Sequence, residues 1–125
     1  MAELLNFELV SPERLLSSGK VAMVVVPGVE GDFGVLPGHA PMMSTIRPGA
    51  IAIYENDSNT VTRRVFIDGG FAEVTPEGLT ILAERALPVA DIDSASVATE
   101  LAAARTANDE AGIARLEAMQ AAVVN

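Results

Sequence analysis

The sequence predicts a β-sandwich over residues 1–87 followed by a C-terminal α-helical hairpin over residues 88–125, an α+β chain overall. Three observations predict it. From Leu4 to Leu87, short apolar or alternating runs are separated by Gly, Pro, Asn and Asp, the pattern of antiparallel strands joined by turns. After Pro88, Gly and Pro almost vanish, Ala dominates and apolar residues fall at helical spacing. The 125 residues are 50% hydrophobic and 20% charged, which gives enough apolar surface to offset the ordering entropy of one domain with a small appendage.

The first strand is carried by Leu5, Phe7 and Leu9, which alternate with Asn6 and Glu8 so that one face is buried and the other wet. Val21 to Val26 is apolar on both faces, as a strand inside a sandwich requires. Ile51 and Ile53 precede the turn Asn56-Asp57-Ser58-Asn59, and Val61, Val65 and Ile67 follow it, a hairpin with a loop of about four residues. A second hairpin runs from Phe71 to Thr75, turns at Pro76-Glu77-Gly78 and returns through Leu79, Ile81 and Ala83. Between the two, Asp68-Gly69-Gly70-Phe71 has paired glycines that permit a bulge or a tight reversal. Pro88 to Asp91 is the linker candidate.

In the tail, Val97, Leu101 and Ala104 form one apolar stripe, and Ile113, Leu116, Met119 and Val123 another. The weak helix stretch Asn108-Asp109-Glu110 divides them into two short helices. Asp93 or Ser94 caps the first helix and Asn108 or Asp109 the second, because these side chains accept hydrogen bonds from unpaired amides. Alanines allow close helix approach but bury little area each, so the hairpin is expected to be marginally stable unless it docks on something.

Seventeen acidic against 8 basic residues give a formal net charge of -9, which opposes a broad basic surface for nucleic acid or anionic lipid. The absence of cysteine excludes disulfides, thiolate metal sites and cysteine nucleophiles. The start of the chain, MAELLNFELV, carries an acid where a signal peptide needs positive charge. No apolar run approaches the roughly 20 residues that span a bilayer. The expectation is a soluble chain that does not insert into the membrane and stays where it was made.

Gly28 to Pro41, G-V-E-G-D-F-G-V-L-P-G-H-A-P, is expected to be a shaped loop, since glycine tolerates positive φ and proline fixes φ. No Lys-Ser or Lys-Thr pair follows and no helix starts there, which excludes a P-loop. The single histidine, His39, lies near Glu30 and Asp32, but without a second histidine or a nucleophile it reads as a structural or contact residue. Glu55, Asp57, Glu73 and Glu77 fall at turns and solvent faces and form no acid/base pair. No catalytic residue, metal ligand or cofactor is predicted.

The run Val24-Val-Val-Pro-Gly-Val-Glu-Gly-Asp-Phe-Gly-Val-Leu-Pro-Gly-His-Ala-Pro41 resembles the signature of the F-type ATP synthase epsilon subunit family, called delta in mitochondria. The resemblance continues through Ile46-Arg-Pro-Gly49, Ile67-Asp-Gly-Gly-Phe-Ala-Glu-Val74 and Leu79-Thr-Ile-Leu-Ala-Glu84, and Phe7-Glu-Leu-Val-Ser-Pro12 fits too. It implies a sandwich of about ten strands and a helical hairpin, with no catalytic activity of its own. The implied function is a central-stalk part that links the gamma subunit to the c-ring and couples proton translocation to ATP synthesis. The implied place is the cytoplasmic face of the bacterial inner membrane, peripherally, within the F1 sector. By the same resemblance, c-ring contacts map to Gly31, Asp32 and His39, and the tail is a route to the alpha and beta subunits. A different class stays open from the residues alone, a free-standing sandwich whose Gly28 to Pro41 loop captures a small ligand.

In many bacterial members a motif resembling Ile/Leu-Asp-x-x-Arg-Ala opens the first tail helix and helps to bind ATP. Ile92 and Asp93 are present, but Ser96 and Val97 stand where Arg and Ala are expected, and Ala103 where a second arginine often follows. Arg105 comes two residues later, about 200° around the helix. A neutral serine cannot replace a guanidinium on a phosphate. The basic residues of a second helix that ends early reduce to Arg115, so weak or absent ATP binding and little inhibition of hydrolysis are expected. The alternative is a different nucleotide site where Arg85, Arg105 and Arg115 converge.

Overall fold

The computed structural model describes residues 4–124; Glu3, on which the signal-peptide reading rests in part, and Asn125 lie outside the described residues. Ten strands precede two helices: β1 Leu5–Val10, β2 Leu15–Val21, β3 Met23–Gly28, β4 Gly31–Val35, β5 Met42–Ile46, β6 Gly49–Tyr54, β7 Arg63–Ile67, β8 Gly70–Thr75, β9 Gly78–Ala83 and β10 Ala86–Pro88, then α1 Ser94–Thr106 and α2 Glu110–Val124. The strand order is β10-β7-β6-β3-β5-β8-β9-β1-β2, with β4 paired to β3 alone. A single residue pair, Gly28 with Ile46, joins β3 to β5. The path therefore divides there into two layers, and their inner faces form the core. Among the described residues only β1 and β9 run parallel; the other pairs are antiparallel.

Alternation decides which side chains enter that core. Leu5, Phe7 and Leu9 are buried while Asn6 and Glu8 are exposed, as the first strand's pattern requires. Val24 and Val26 from β3 meet Ile51 and Ile53 from β6, Ile67 from β7 and Leu79 and Ile81 from β9 in one cluster. The second predicted hairpin is β8–β9, where Thr75 pairs with Gly78 across the two-residue turn Pro76-Glu77. Gly70 has φ +148, and a Cβ there would collide with the carbonyl oxygen of Leu82, so the paired glycines serve the close approach of β8 to β9.

Three local expectations are corrected. Gly28 to Pro41 is not one loop, because Gly31 to Val35 pairs with β3 in register from Gly28/Gly31 to Val24/Val35. Val35 is fully buried there, paired with Val24, and both join the core cluster. The β6–β7 hairpin closes with a longer loop than expected: Ile53 pairs with Arg63, and Val61 lies in the loop, 39% exposed. Asp57 Oδ1 accepts from the amides of Asn59 and Thr60 and shapes that loop, while the Thr62 hydroxyl donates to the Ile53 carbonyl. Val21 closes β2 rather than opening the next strand, which starts at Met23; the linker candidate Pro88 to Asp91 runs from the last residue of β10 through a 3-10 turn, Val89–Asp91.

The two stripes of the tail meet each other and the outer face of β6–β7. Phe66, Ile92, Val97, Leu101, Leu116 and Ala122 form a second buried cluster, with Ala50, Ile113, Met119 and Val123 against it. Ala50 and Ala52 lie on the outer face of β6, opposite Phe66 and Arg64 of β7, and their small side chains leave room for α2. Asp93 is the cap of α1, accepting from the Ala95 amide, and Asp109 caps α2 through the Gly112 amide. Between the helices Asn108 takes φ 55. Its amide donates to Arg105 O and that of Asp109 to Ala104 O, a Schellman closure of α1.

Candidate functional site

The first candidate surface is the end of the β3–β4 hairpin. Gly28 pairs with Gly31 around Val29 and Glu30, and a Cβ on Gly28 would press on Gly31 O at 2.8 Å and on the Phe33 ring. Gly31 itself has φ +133. Asp32 is exposed next to it, and its Oδ1 accepts from Arg47 Nη2 at 2.7 Å. Arg47 Nη1 donates to the Gly28 carbonyl at 2.8 Å, and its backbone amide to Pro27 O at 3.0 Å. One guanidinium thus joins the β5–β6 turn to both sides of the hairpin turn.

His39 lies past the other end of β4. Its amide closes a turn on Leu36 O at 3.1 Å. Its Nδ1 lies 2.7 Å from the Ala40 carbonyl, which can only accept, so Nδ1 is the donor. His39 shares a shallow cleft with Asn6, Pro37 and the β8–β9 turn Thr75 to Gly78. Gly31 and Asp32 are adjacent, but β4, roughly 13 Å long at about 3.3 Å per residue, separates them from His39. The three residues bracket an edge strand rather than converge.

A second surface is apolar and escaped the sequence reading. Thr45 pairs with Phe71, Phe71 with Leu82, Leu82 with Val10, and Val10 with Leu15. Partners directly across a ladder share a face, so these residues form a ribbon over β5, β8, β9, β1 and β2, roughly 20 Å long at about 4.8 Å per strand. Leu15, Phe71 and Leu82 are 53%, 50% and 45% exposed, and Met43 on the same face is 67% exposed. The usable signal is the outward parity of Phe71 and Leu82 in strands whose inward positions, Ala72 and Val74 in β8 and Leu79, Ile81 and Ala83 in β9, are already apolar.

In the tail, Ile92 is buried in the second cluster, while both Asp93 oxygens are committed, Oδ1 to the Ala95 amide and Oδ2 to the Ser96 hydroxyl at 2.8 Å. The Ser96 hydroxyl, with help from the backbone amides, holds the Asp93 carboxyl below its usual range. Arg105 pairs with Glu117 of α2 at 3.2 Å. Arg85 and Arg115 line an open cleft of about 470 Å³ between sandwich and tail, together with Arg14, Glu13, Asp68 and Glu100. Arg105 does not line it, so the three arginines of the alternative site do not converge.

Residues 4–89 match the family model described as the ATP synthase delta/epsilon chain β-sandwich domain. The chain belongs to that family. It is 57% identical over 132 residues to an ATP synthase epsilon chain of Maricaulis maris, covering 97% of both chains. It is also 60% identical over 104 residues to the epsilon chain of Parvibaculum lavamentivorans, covering 83% of this chain and 77% of that relative. In fold it is similar to a chain of the Euglena gracilis mitochondrial ATP synthase OSCP/F1/c-ring structure, with a TM-score of 0.85 and 24% identity over 98% of this chain and 82% of that one. No helix among the described residues of this epsilon-family chain is long and apolar enough to cross a membrane.

Proposed function

We propose that this chain is the non-catalytic epsilon subunit of an F-type ATP synthase central stalk, binding the gamma subunit and resting on the c-ring. The observation that carries this reading is that one stiff sandwich presents two unlike surfaces, the apolar ribbon and the polar, clamped ends of β4. A part that transmits torque needs a body that does not shear, and two packed sheets supply one. The row Phe71, Leu82, Val10 and Leu15, with Met43 beside it, is the gamma face, since clustered exposed apolar side chains on a sheet mark a protein interface. Asp32 and His39, with Gly31 shaping the turn, meet the polar loops of the c-ring. Rim charges of this type set register and association rate more than affinity.

The subunit sits at the cytoplasmic face of the bacterial inner membrane, as a peripheral part of the F1 sector. The tail binds ATP weakly or not at all and inhibits hydrolysis little. This follows from Asp93 being used as a cap, Ile92 being buried and Arg105 being paired with Glu117. Contacts of the tail with the alpha and beta subunits require it to leave β6–β7. The free-standing ligand module is not favoured, because Gly28 to Gly34 is used in pairing β3 with β4.

Replacing Asp32 and His39 together by alanine is expected to lower proton pumping per ATP hydrolysed in reconstituted vesicles, with the melting transition of the isolated chain unchanged. Full coupling in the double variant would remove the ring assignment. Titration calorimetry with ATP tests the tail, and micromolar binding would restore a nucleotide site to it.

A further inference from the structure

From the hairpin geometry we infer that Arg47 is a positioning residue for the c-ring contact, fixing the carboxylate of Asp32 against the turn that carries it. This role rests on the ring contact proposed above. Asp32 has an exposed side chain, 61% accessible, on an edge strand, and left alone it would sample several rotamers. Arg47 removes that freedom from one side. Its Nη2 holds Oδ1 at 2.7 Å, so Oδ2 is the oxygen left to face outward. The same guanidinium is itself anchored, because Nη1 is bound to the Gly28 carbonyl at 2.8 Å and the Arg47 amide to Pro27 O at 3.0 Å. A planar fork with two parallel donors can make both contacts at once, whereas an ammonium presents a single point of charge.

The surroundings are equally constrained. The Val29 amide donates to Thr45 O at 3.1 Å, tying the hairpin turn to β5. Beyond the Pro48 corner, a Cβ on Gly49 would meet the Pro27 ring at 3.1 Å, so Arg47 starts from a backbone packed closely on β3. Stability does not account for the arrangement, since the Arg47 side chain is itself 45% exposed and pairs this open contribute little to folding. What the clamp does supply is an acceptor already in place before the partner arrives, and immobilising a side chain in advance removes part of the entropy that binding would otherwise cost.

The test uses ATP synthase vesicles stripped of this subunit and rebuilt with Arg47→Gln, Arg47→Lys, Asp32→Asn and the Arg47→Gln/Asp32→Asn pair. Rebinding affinity and pumping per ATP hydrolysed are measured, with the melting transition of each isolated chain. Arg47→Gln is expected to weaken rebinding roughly three- to tenfold, as one mobilised side chain would, and to match Asp32→Asn. The double variant should be no worse than Asp32→Asn alone, because Arg47 acts through Asp32. Arg47→Lys should recover part of the loss, and the melting transition should stay in place. Additive losses in the double variant, or normal rebinding of Arg47→Gln beside a defective Asp32→Asn, would overturn the positioning role and leave the ring contact standing. A melting transition that falls in step with affinity would overturn it in favour of a structural role. Normal rebinding and pumping by Asp32→Asn would overturn the ring contact and the positioning role together.

Discussion

Arg64 Nη1 donates to the carbonyl oxygen of Ala122 at 2.7 Å, joining the outer face of β7 to the last turn of α2. The carbonyls of a last turn lack partners within the helix and carry its negative pole, so a guanidinium satisfies both the hydrogen bond and the dipole. Phe66, two residues along the same face, supplies the apolar half of the docking site. This pair of residues explains how a tail so rich in alanine is held to the sandwich.

Arg64→Met keeps the apolar stem and removes the charge-assisted bond, and is expected to weaken docking of the tail by about 1–2 kcal/mol. Hydrogen exchange should then rise roughly five- to thirtyfold in the amides of α1 and α2, with β1, β8 and β9 unchanged. Unchanged exchange in α2 would mean that the apolar cluster alone determines docking.

Gly70→Ala places a methyl group against the Leu82 carbonyl at φ +148. A loss of roughly 2 kcal/mol or more is expected, from strain plus a disturbed β8–β9 pairing, read as a lower urea midpoint. Gly19→Ala in β2 is the control, with nothing within 4 Å of its added Cβ, and should stay within about 0.5 kcal/mol of the parent. Equal midpoints for the two variants would contradict the close approach at Gly70.

Asp93 gives the tail a pH dependence whose sign follows from its lowered pKa, caused first by the Ser96 hydroxyl and then by the Ala95 and Ser96 amides. A carboxylate with a depressed folded pKa stabilises the folded state above its unfolded value, about 3.9, and that contribution is lost as pH falls through the folded pKa. Helix content of the tail should therefore be flat from neutral pH down to about pH 5 and decline at lower pH. Asp93→Asn, which caps without titrating, should show a smaller decline in circular dichroism over that acid range. The same decline in both proteins would assign the acid sensitivity to other carboxylates.

The sequence alone determined the division into strands and helices, because alternation in Leu5-Phe7-Leu9 and the stripes of Val97-Leu101 and Leu116-Met119 are local patterns that follow the geometry of each element. It also determined the family, since the Val24 to Pro41 signature lies in one continuous run. It did not show that Gly31 to Val35 is a strand, as the glycines that allow its tight turn also hide its alternation. Tertiary structure decided everything that depends on residues far apart in the chain. Arg47 reaches Asp32 across 15 positions and Arg64 reaches Ala122 across 58, so neither contact has a sequence period to reveal it. The apolar ribbon likewise exists only once β5, β8, β9, β1 and β2 are in register, because Phe71, Leu82, Val10 and Leu15 come to lie in one row through pairing and not through spacing.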